Sequence, residues 1–248
     1  MRSKLIMAWY ARAAFRFDFG RMKAMILAAG RGARMRPLTD TVPKPLLKIN
    51  GRPLIDWHLE KLARAGFREI VINISYLGEA IKNHVGDGAR YGVTVQYSPE
   101  PTALETGGGI ATARDWLGDD WFLLVSADIY SDIDYARLAT MGKNLGKADA
   151  ALMLVPHHVG LIGEYALEAD RVVFANVSAA PLPHYTWASV GVFRTSLFAA
   201  MPKRKPFTLL PHFQAWAGAR RMKGEVFDGV WENLGTPREF AALNARLA

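Results

Sequence analysis

The sequence predicts an α/β fold: a Rossmann-like mixed, mainly parallel sheet with helices on both faces. Short apolar runs alternate with segments whose apolar residues recur at helical spacing all the way to Asp128. Glycine-rich turns separate these segments at 30–32, 86–88 and 107–109. Strands joined through helices must run parallel in a covered sheet, and ligands of such sheets bind beyond the carboxyl ends of the strands.

Each element has its own signal. Lys23-Ala24-Met25-Ile26-Leu27-Ala28 is an apolar run stopped by Gly30 and Gly32, which predicts a buried first strand. After Pro53, Ile55, Leu59 and Leu62 share one helical face, and Gly66 closes that helix. Glu69-Ile70-Val71-Ile72-Asn73-Ile74 is the second strand. A helix over 77–85 ends at Gly86-Asp87-Gly88, and a third strand covers 93–97. A helix over 110–116 follows the Gly107-Gly108-Gly109 run, and Trp121-Phe122-Leu123-Leu124-Val125-Ser126 is the fourth strand. The second half is more mixed, with strands expected at 150–155 and 187–193 and helices at 209–217 and 238–247. Proline-bounded loops fall at 181–183 and 202–206. No linker, internal repeat or low-complexity stretch interrupts the chain, so one domain is expected over 22–248.

Composition narrows the function. The 248 residues contain no cysteine, which excludes a disulfide framework, a thiolate metal site and a cysteine nucleophile. No apolar run approaches the roughly 20 residues of a membrane-spanning helix, so a cytoplasmic address and no membrane partner are expected. The net charge is +8, and half of that excess lies in residues 1–21, where five basic side chains face Asp18 alone. That segment has a short apolar run broken by Arg12 and Arg16, and it is expected to be a poorly ordered extension ahead of Met22. The remaining positive excess suits polyanionic small molecules. No basic helix with interleaved aromatics argues for a nucleic-acid partner.

The sharpest chemistry is Leu27-Ala28-Ala29-Gly30-Arg31-Gly32-Ala33-Arg34-Met35-Arg36-Pro37, followed by Pro43-Lys44-Pro45. A glycine turn after a strand lets backbone N–H groups approach phosphate oxygens, and nearby arginines and lysine add charge-assisted contacts. The dinucleotide fingerprint fails because Met35 stands where its third glycine belongs, and no Walker lysine is present. Leu104-Glu105-Thr106-Gly107-Gly108-Gly109 is expected to open a helix with Thr106 as its cap and glycine N–H groups free for a ligand. Asp128, at the end of an apolar strand, is placed to hold a magnesium ion together with phosphate oxygens. Asp134 is expected to cap the helix that starts at Tyr135, although Asp132-Ile133-Asp134 also mimics a glycosyltransferase Asp-x-Asp. His157 and His158 are expected in a loop, and Trp187, Trp216 and Trp231 in the core or at its rim.

With these motifs the chain resembles the sugar-1-phosphate nucleotidyltransferases, and within them the N-acetylmuramate-1-phosphate uridylyltransferase group. Asn73, the Tyr97-Ser98-Pro99-Glu100 run, Glu105-Thr106-Gly107 and Trp231-Glu232-Asn233-Leu234-Gly235-Thr236 are similar to that group as well. The resemblance implies a nucleotide-diphospho-sugar transferase fold and Mg²⁺-dependent transfer of UMP from UTP to a sugar 1-phosphate. It implies nucleotide contacts at Ala28, Gly30, Gly32, Ala33, Arg34, Lys44, Thr106 and Gly107. Arg34, Lys44 and Asp128 would be catalytic, Asp128 and Asn233 would hold the metal, and Ser126, Glu164 and Asn233 would face the sugar. The implied partners are a nucleoside triphosphate and a sugar 1-phosphate, N-acetylmuramate 1-phosphate foremost, in peptidoglycan recycling. Three alternatives stay open: a guanylyl- or thymidylyltransferase on a hexose 1-phosphate, a non-catalytic nucleotide-sugar binder, and a glycosyltransferase using Asp132 and Asp134. Either a monomer or a homodimer is compatible with the sequence.

Overall fold

A computed structural model describes residues 22–157, 164–174 and 182–247. The extension expected at 1–21 and His158 lie outside the described residues.

A nine-stranded sheet organises the chain. In chain order its strands are β1 (Lys23–Leu27), β4 (Glu69–Ile74), β5 (Thr94–Pro99), β6 (Trp121–Ser126), β8 (Ala150–Pro156), β9 (Tyr165–Glu168), β10 (Arg171–Phe174), β11 (Tyr185–Arg194) and β12 (Met222–Val226). Two short ribbons lie outside it: β2 (Lys48–Ile49) with β3 (Arg52–Pro53), and β7 (Ile129–Ser131) with β13 (Trp231–Asn233). The spatial order is β5-β4-β1-β6-β11-β8-β12-β10-β9. Strands β5, β4, β1 and β6 are mutually parallel, β11 is antiparallel to both β6 and β8, and β12 is parallel to β8. The expected mainly parallel sheet is therefore present in the first half.

Among the described residues, five helices cover the two faces: α1 (Leu54–Arg64), α2 (Gly78–Val85), α3 (Glu105–Leu117), α4 (Tyr135–Lys143) and α5 (Leu210–Gly218), while α6 (Pro237–Leu247) packs in a separate cluster with Ile49 and Leu54. Side chains alternate along a strand, so Ala24, Ile26, Leu123 and Val125 bury on one face with Ile55, Leu59 and Leu62 of α1, Ile81 of α2 and Leu138 of α4. Met25, Val71, Phe122 and Leu124 bury on the other with Ile110 and Leu117 of α3 and Phe213 and Trp216 of α5. Aromatic packing fills this second face, where Phe193 stacks on Phe213 with ring centroids 5.9 Å apart. Trp187 is partly buried, packs against the same cluster at its rim and donates to the Val190 carbonyl. Trp216 and Trp231 are buried.

Two local expectations need correction. α3 begins at Glu105, not at Ile110, and it takes the three glycines into its first turns. Thr106 is inside that helix and is not its cap, and no side chain caps it. The glycines serve packing. A β-carbon on Gly107 would sit 2.3 Å from Phe207 Cε2, and one on Gly108 would sit 2.1 Å from the Lys205 carbonyl oxygen. The sequence also gives little warning of β7, β9, β10, β12 and β13, each only three to five residues long. Asp134 does cap α4: its carboxylate accepts from the Ala136 N–H at 2.9 Å, which leaves the Asp-x-Asp resemblance with an ordinary structural use.

Candidate active site

The register of the parallel strands builds the site. Leu27 of β1 pairs with Asn73 of β4 on one side and with Ser126 of β6 on the other, so three strands end level. The chain leaves them through the glycine turn at 28–34, through residues 75–77, and through Ala127-Asp128. A cavity of about 490 Å³ opens at this edge. Its wall contains Ala28, Gly30, Gly32, Ala33, Arg34, Lys44, Thr106, Ser126 and Asp128 among the residues expected there, together with Arg31, Asn73, Glu100 and Glu105.

The glycine turn is fixed by local geometry. Gly32 has φ +63°, which glycine adopts without the steric cost a β-carbon brings. Its carbonyl accepts from the buried Thr39 hydroxyl at 2.8 Å, closing the loop on itself. A short 3₁₀ turn over Ala33–Met35 follows, which buries Met35 and leaves Arg34 exposed at the cavity. A second turn over Lys44–Leu46, entered through Pro43, buries Lys44 to 8% exposure. Its ammonium lies 2.7 Å from Asp128 Oδ2, and the Asp128 side chain remains 37% exposed. Two residues 84 positions apart thus form a cation–carboxylate pair at the cavity wall.

Asn233 approaches from another direction. β13 runs antiparallel to β7 with Asn233 opposite Ile129, and the Leu234 N–H donates to the Asp128 carbonyl at 3.1 Å. The next residue, Gly235, lines the cavity, and its Cα lies near the Arg34 guanidinium. The late Trp-x-Asn-x-Gly segment is therefore backbone-bonded to the Asp128 segment.

Three expected residues do not line the cavity. Glu164 stands half-buried just before β9, and Asn233 and Gly107 are outside the wall. The glycine N–H groups expected to be free are taken: Gly107 and Gly108 both donate to the Phe207 carbonyl, at 3.0 and 3.3 Å. His157 is exposed, and its N–H donates to the His184 carbonyl.

Sequence inspection gave no role to the polar network under the cavity floor. Asn73 Oδ1 accepts from the Ala28 N–H at 2.8 Å, and Asn73 Nδ2 donates to Glu100 Oε1 at 2.8 Å. The other Glu100 oxygen accepts from the Leu104 N–H at 2.9 Å. Burial pushes the Glu100 carboxyl above its ordinary range, and the bonds from Asn73 and Leu104 pull the other way. One Asn–Glu pair thus ties the start of the glycine turn to the entry of α3. Gly109 makes room for it, because a β-carbon there would sit 2.8 Å from both side chains. Asn73→Ala is expected to destabilise the fold by roughly 2–3 kcal/mol, since it leaves a buried N–H and a buried carboxylate oxygen without partners. The check is urea unfolding, together with a loss of nucleotide affinity measured by calorimetry.

A second buried group lies behind Asp128. His58 Nδ1 is 2.8 Å from the Tyr135 hydroxyl, and Lys61 reaches the Ser131 carbonyl at 2.8 Å with its ammonium over the Tyr135 ring. Burial, reinforced by the Lys61 charge and opposed by Asp128, pushes His58 down to about 3. Between that value and its ordinary 6.5, the unfolded chain binds a proton at His58 that the folded chain refuses. Stability is therefore expected to fall as pH drops through this window, by up to about 1.4 kcal/mol per unit. Urea midpoints at several pH values check this, and His58→Gln flattens the dependence by one proton.

Comparison with known proteins agrees with this geometry. The family described as Nucleotidyl transferase matches residues 23–160. N-acetylmuramate alpha-1-phosphate uridylyltransferase of Neisseria meningitidis is 44% identical over 87% of this chain and 94% of its own length. The protein of the same name from Caulobacter vibrioides is 32% identical over 91% of this chain and 96% of its own length. A crystal structure from Bacillus anthracis, described as a proposed glucose-1-phosphate thymidylyltransferase, superposes with a TM-score of 0.79 over 91% of this chain and 94% of that one, at 20% identity. The last likeness concerns the fold, which is that of the nucleotide-diphospho-sugar transferases. Within the described residues, no helix is long and apolar enough to cross a membrane. A strand-end glycine turn, a buried lysine and a strand-end aspartate on one cavity wall, within sequence similarity that spans nearly the whole of two curated relatives, lead to one conclusion: this chain is an enzyme of the nucleotidyl transferase family.

Proposed function

We propose that the enzyme transfers UMP from UTP to N-acetylmuramate 1-phosphate, in cell-wall recycling within the cytoplasm. One observation carries the reading: Arg34, Lys44 and Asp128 share the wall of the cavity that the glycine turn borders. The choice of nucleotide and sugar follows the names of the Neisseria and Caulobacter relatives.

The chemistry is an in-line displacement. A phosphate oxygen of the sugar 1-phosphate attacks the α-phosphorus of UTP, the bond to the β-phosphate oxygen breaks, and pyrophosphate leaves with the electron pair. The nucleophile is already ionised at neutral pH, so positioning and charge neutralisation carry the rate. Lys44 stabilises charge that builds on the α-phosphoryl oxygens. Arg34, exposed at the cavity, holds the departing pyrophosphate. The turn N–H groups of Gly30, Gly32 and Ala33 cradle the phosphates, while the Ala28 N–H is held by Asn73. Thr106, on the cavity wall, borders the nucleoside. Ser126, on the cavity wall, contacts the sugar.

The donor set fits a magnesium ion that arrives with its phosphates: one half-exposed carboxylate at Asp128, with Asn233 on the adjoining strand. Among the described residues there is no cluster of three or more acidic or histidine ligands that would form an all-protein metal cage. When bound, the ion neutralises phosphate charge between the two substrates.

A matrix of four nucleoside triphosphates against several sugar 1-phosphates, read as pyrophosphate release, tests the proposal. The expected best pair is UTP with N-acetylmuramate 1-phosphate. A tenfold better kcat/KM for a guanosine or thymidine nucleotide with a hexose 1-phosphate would transfer the assignment to that activity. No release with any pair, alongside tight nucleotide-sugar binding, would make the chain a binder.

A further inference from the structure

Lys61 holds a cation away from the cavity, where no phosphate reaches it. It stands in the last turn of α1, partly buried, with its ammonium 4.3 Å from the centre of the Tyr135 ring. That ammonium donates to the Ser131 carbonyl of β7 at 2.8 Å. Burial pulls it down to about 8, while Asp132 pulls the other way. A lysine that has given up much of its water to hold one backbone oxygen marks that oxygen as worth holding.

The strand pairing shows why. β7 and β13 form a two-stranded ribbon with Tyr130 opposite Glu232. The Leu234 N–H reaches the Asp128 carbonyl, and the Asp132 N–H reaches the Val230 carbonyl. Backbone groups point to alternate edges along a strand, so the Ser131 carbonyl points away from β13. Lys61 takes the place of a missing strand on that open edge. On the opposite side the ribbon is tied to the main sheet by Trp231, whose Nε1–H donates to the Ala188 carbonyl at 3.0 Å.

The same helix is bonded at its start to the other half of the cation–carboxylate pair. The Leu54 N–H donates to the Leu47 carbonyl at 3.0 Å, and Leu47 ends the turn that carries Lys44. α1 therefore runs from the Lys44 turn to Lys61, and Lys61 fastens it to the strand that begins directly after Asp128. Two stiff elements, α1 and β7, set where the Lys44 ammonium meets the Asp128 carboxylate.

We propose that Lys61 is a positioning residue for the Lys44–Asp128 pair, fixing α1 against β7 through the Ser131 carbonyl. This rests on that pair being the catalytic one.

Steady-state pyrophosphate release, together with calorimetric binding of α,β-methylene-UTP in the presence of Mg²⁺, tests the proposal in the parent, Lys61→Met and Lys61→Arg. Methionine keeps the apolar stem and removes the charged donor, so Lys61→Met should still unfold cooperatively. Its kcat is expected to fall about ten- to a hundredfold, the scale of effect that a small misplacement of reacting groups produces. Affinity for the analogue, which the glycine turn holds, should stay within about threefold. Lys61→Arg keeps a donor over the same ring and should recover most of the rate. Adding Lys61→Met to Lys44→Ala should lower kcat less than about twofold further, because the pair it positions is already gone. Should Lys61→Met fail to fold, Lys61→Gln, whose donor is one atom shorter, takes its place with the same expected split. A folded Lys61→Met or Lys61→Gln with kcat within twofold of the parent would overturn the role. So would an analogue affinity that falls as far as kcat, or a full further loss in the Lys44→Ala background. Parent-level turnover in Lys44→Ala and Asp128→Asn would instead overturn the catalytic pair itself.

Discussion

Replacing Lys44 with alanine is expected to lower kcat by about 10²–10³-fold, the usual effect of removing one preorganised donor from charge that develops in a transition state. Lys44 is 8% exposed and its ammonium is already held at 2.7 Å from Asp128, so little reorganisation is needed when a phosphate arrives. Stability should change by less than about 1 kcal/mol, because Asp128 is 37% exposed and water replaces its partner. Lys44→Arg is expected to rescue poorly. A planar guanidinium is larger than the point charge that the Pro43–Pro45 turn buries. Steady-state pyrophosphate release and thermal unfolding measure both quantities. A kcat within tenfold of the parent would remove Lys44 from the catalytic set.

Asp128→Asn is expected to lower kcat at least as far, and to raise the magnesium concentration needed for half-maximal rate. The amide keeps the shape but is a weaker, neutral ligand. Asp128→Ala carries a second, structural effect. It strips the partner from a lysine that is almost fully buried, so it should destabilise the fold by roughly 1–3 kcal/mol, more than Lys44→Ala does. The asymmetry follows from burial: the lysine has lost most of its water and the aspartate has not. Because the two residues act as a unit, the double variant should lose far less than the product of the single losses. A magnesium titration of Asp128→Asn that overlays the parent's would remove this residue from the metal site.

Much of this site was legible in the chain. The glycine turn, Lys44 between its prolines and Asp128 at a strand end were each marked by local chemistry, and they face one cavity. The entry of α3 was not legible. Its glycines look like free N–H donors, yet they are there because Phe207 and Lys205, about a hundred positions later, pack against the helix. Asn73 and Glu100 gave no local sign of their roles either. Each is one polar residue in an apolar or extended run, and its use depends on a partner 27 positions away. The strands β7, β9, β10, β12 and β13 escaped notice because each is only three to five residues long, too short for a period in hydrophobicity to show.

The sequence by itself determined the alternating α/β order, the buried faces of the first four strands and helices, and the residue types able to handle phosphate. Those properties are written in spacing, because a side chain's face depends only on its position along a helix or strand. Only the tertiary structure decided that Lys44 pairs with Asp128, that Asn233 lies on a strand bonded beside them, and that Glu105 holds a strained backbone at the other side of the cavity. Strand register and loop closure set those relations, and both arise from packing summed over the whole sheet, which no local stretch of sequence contains.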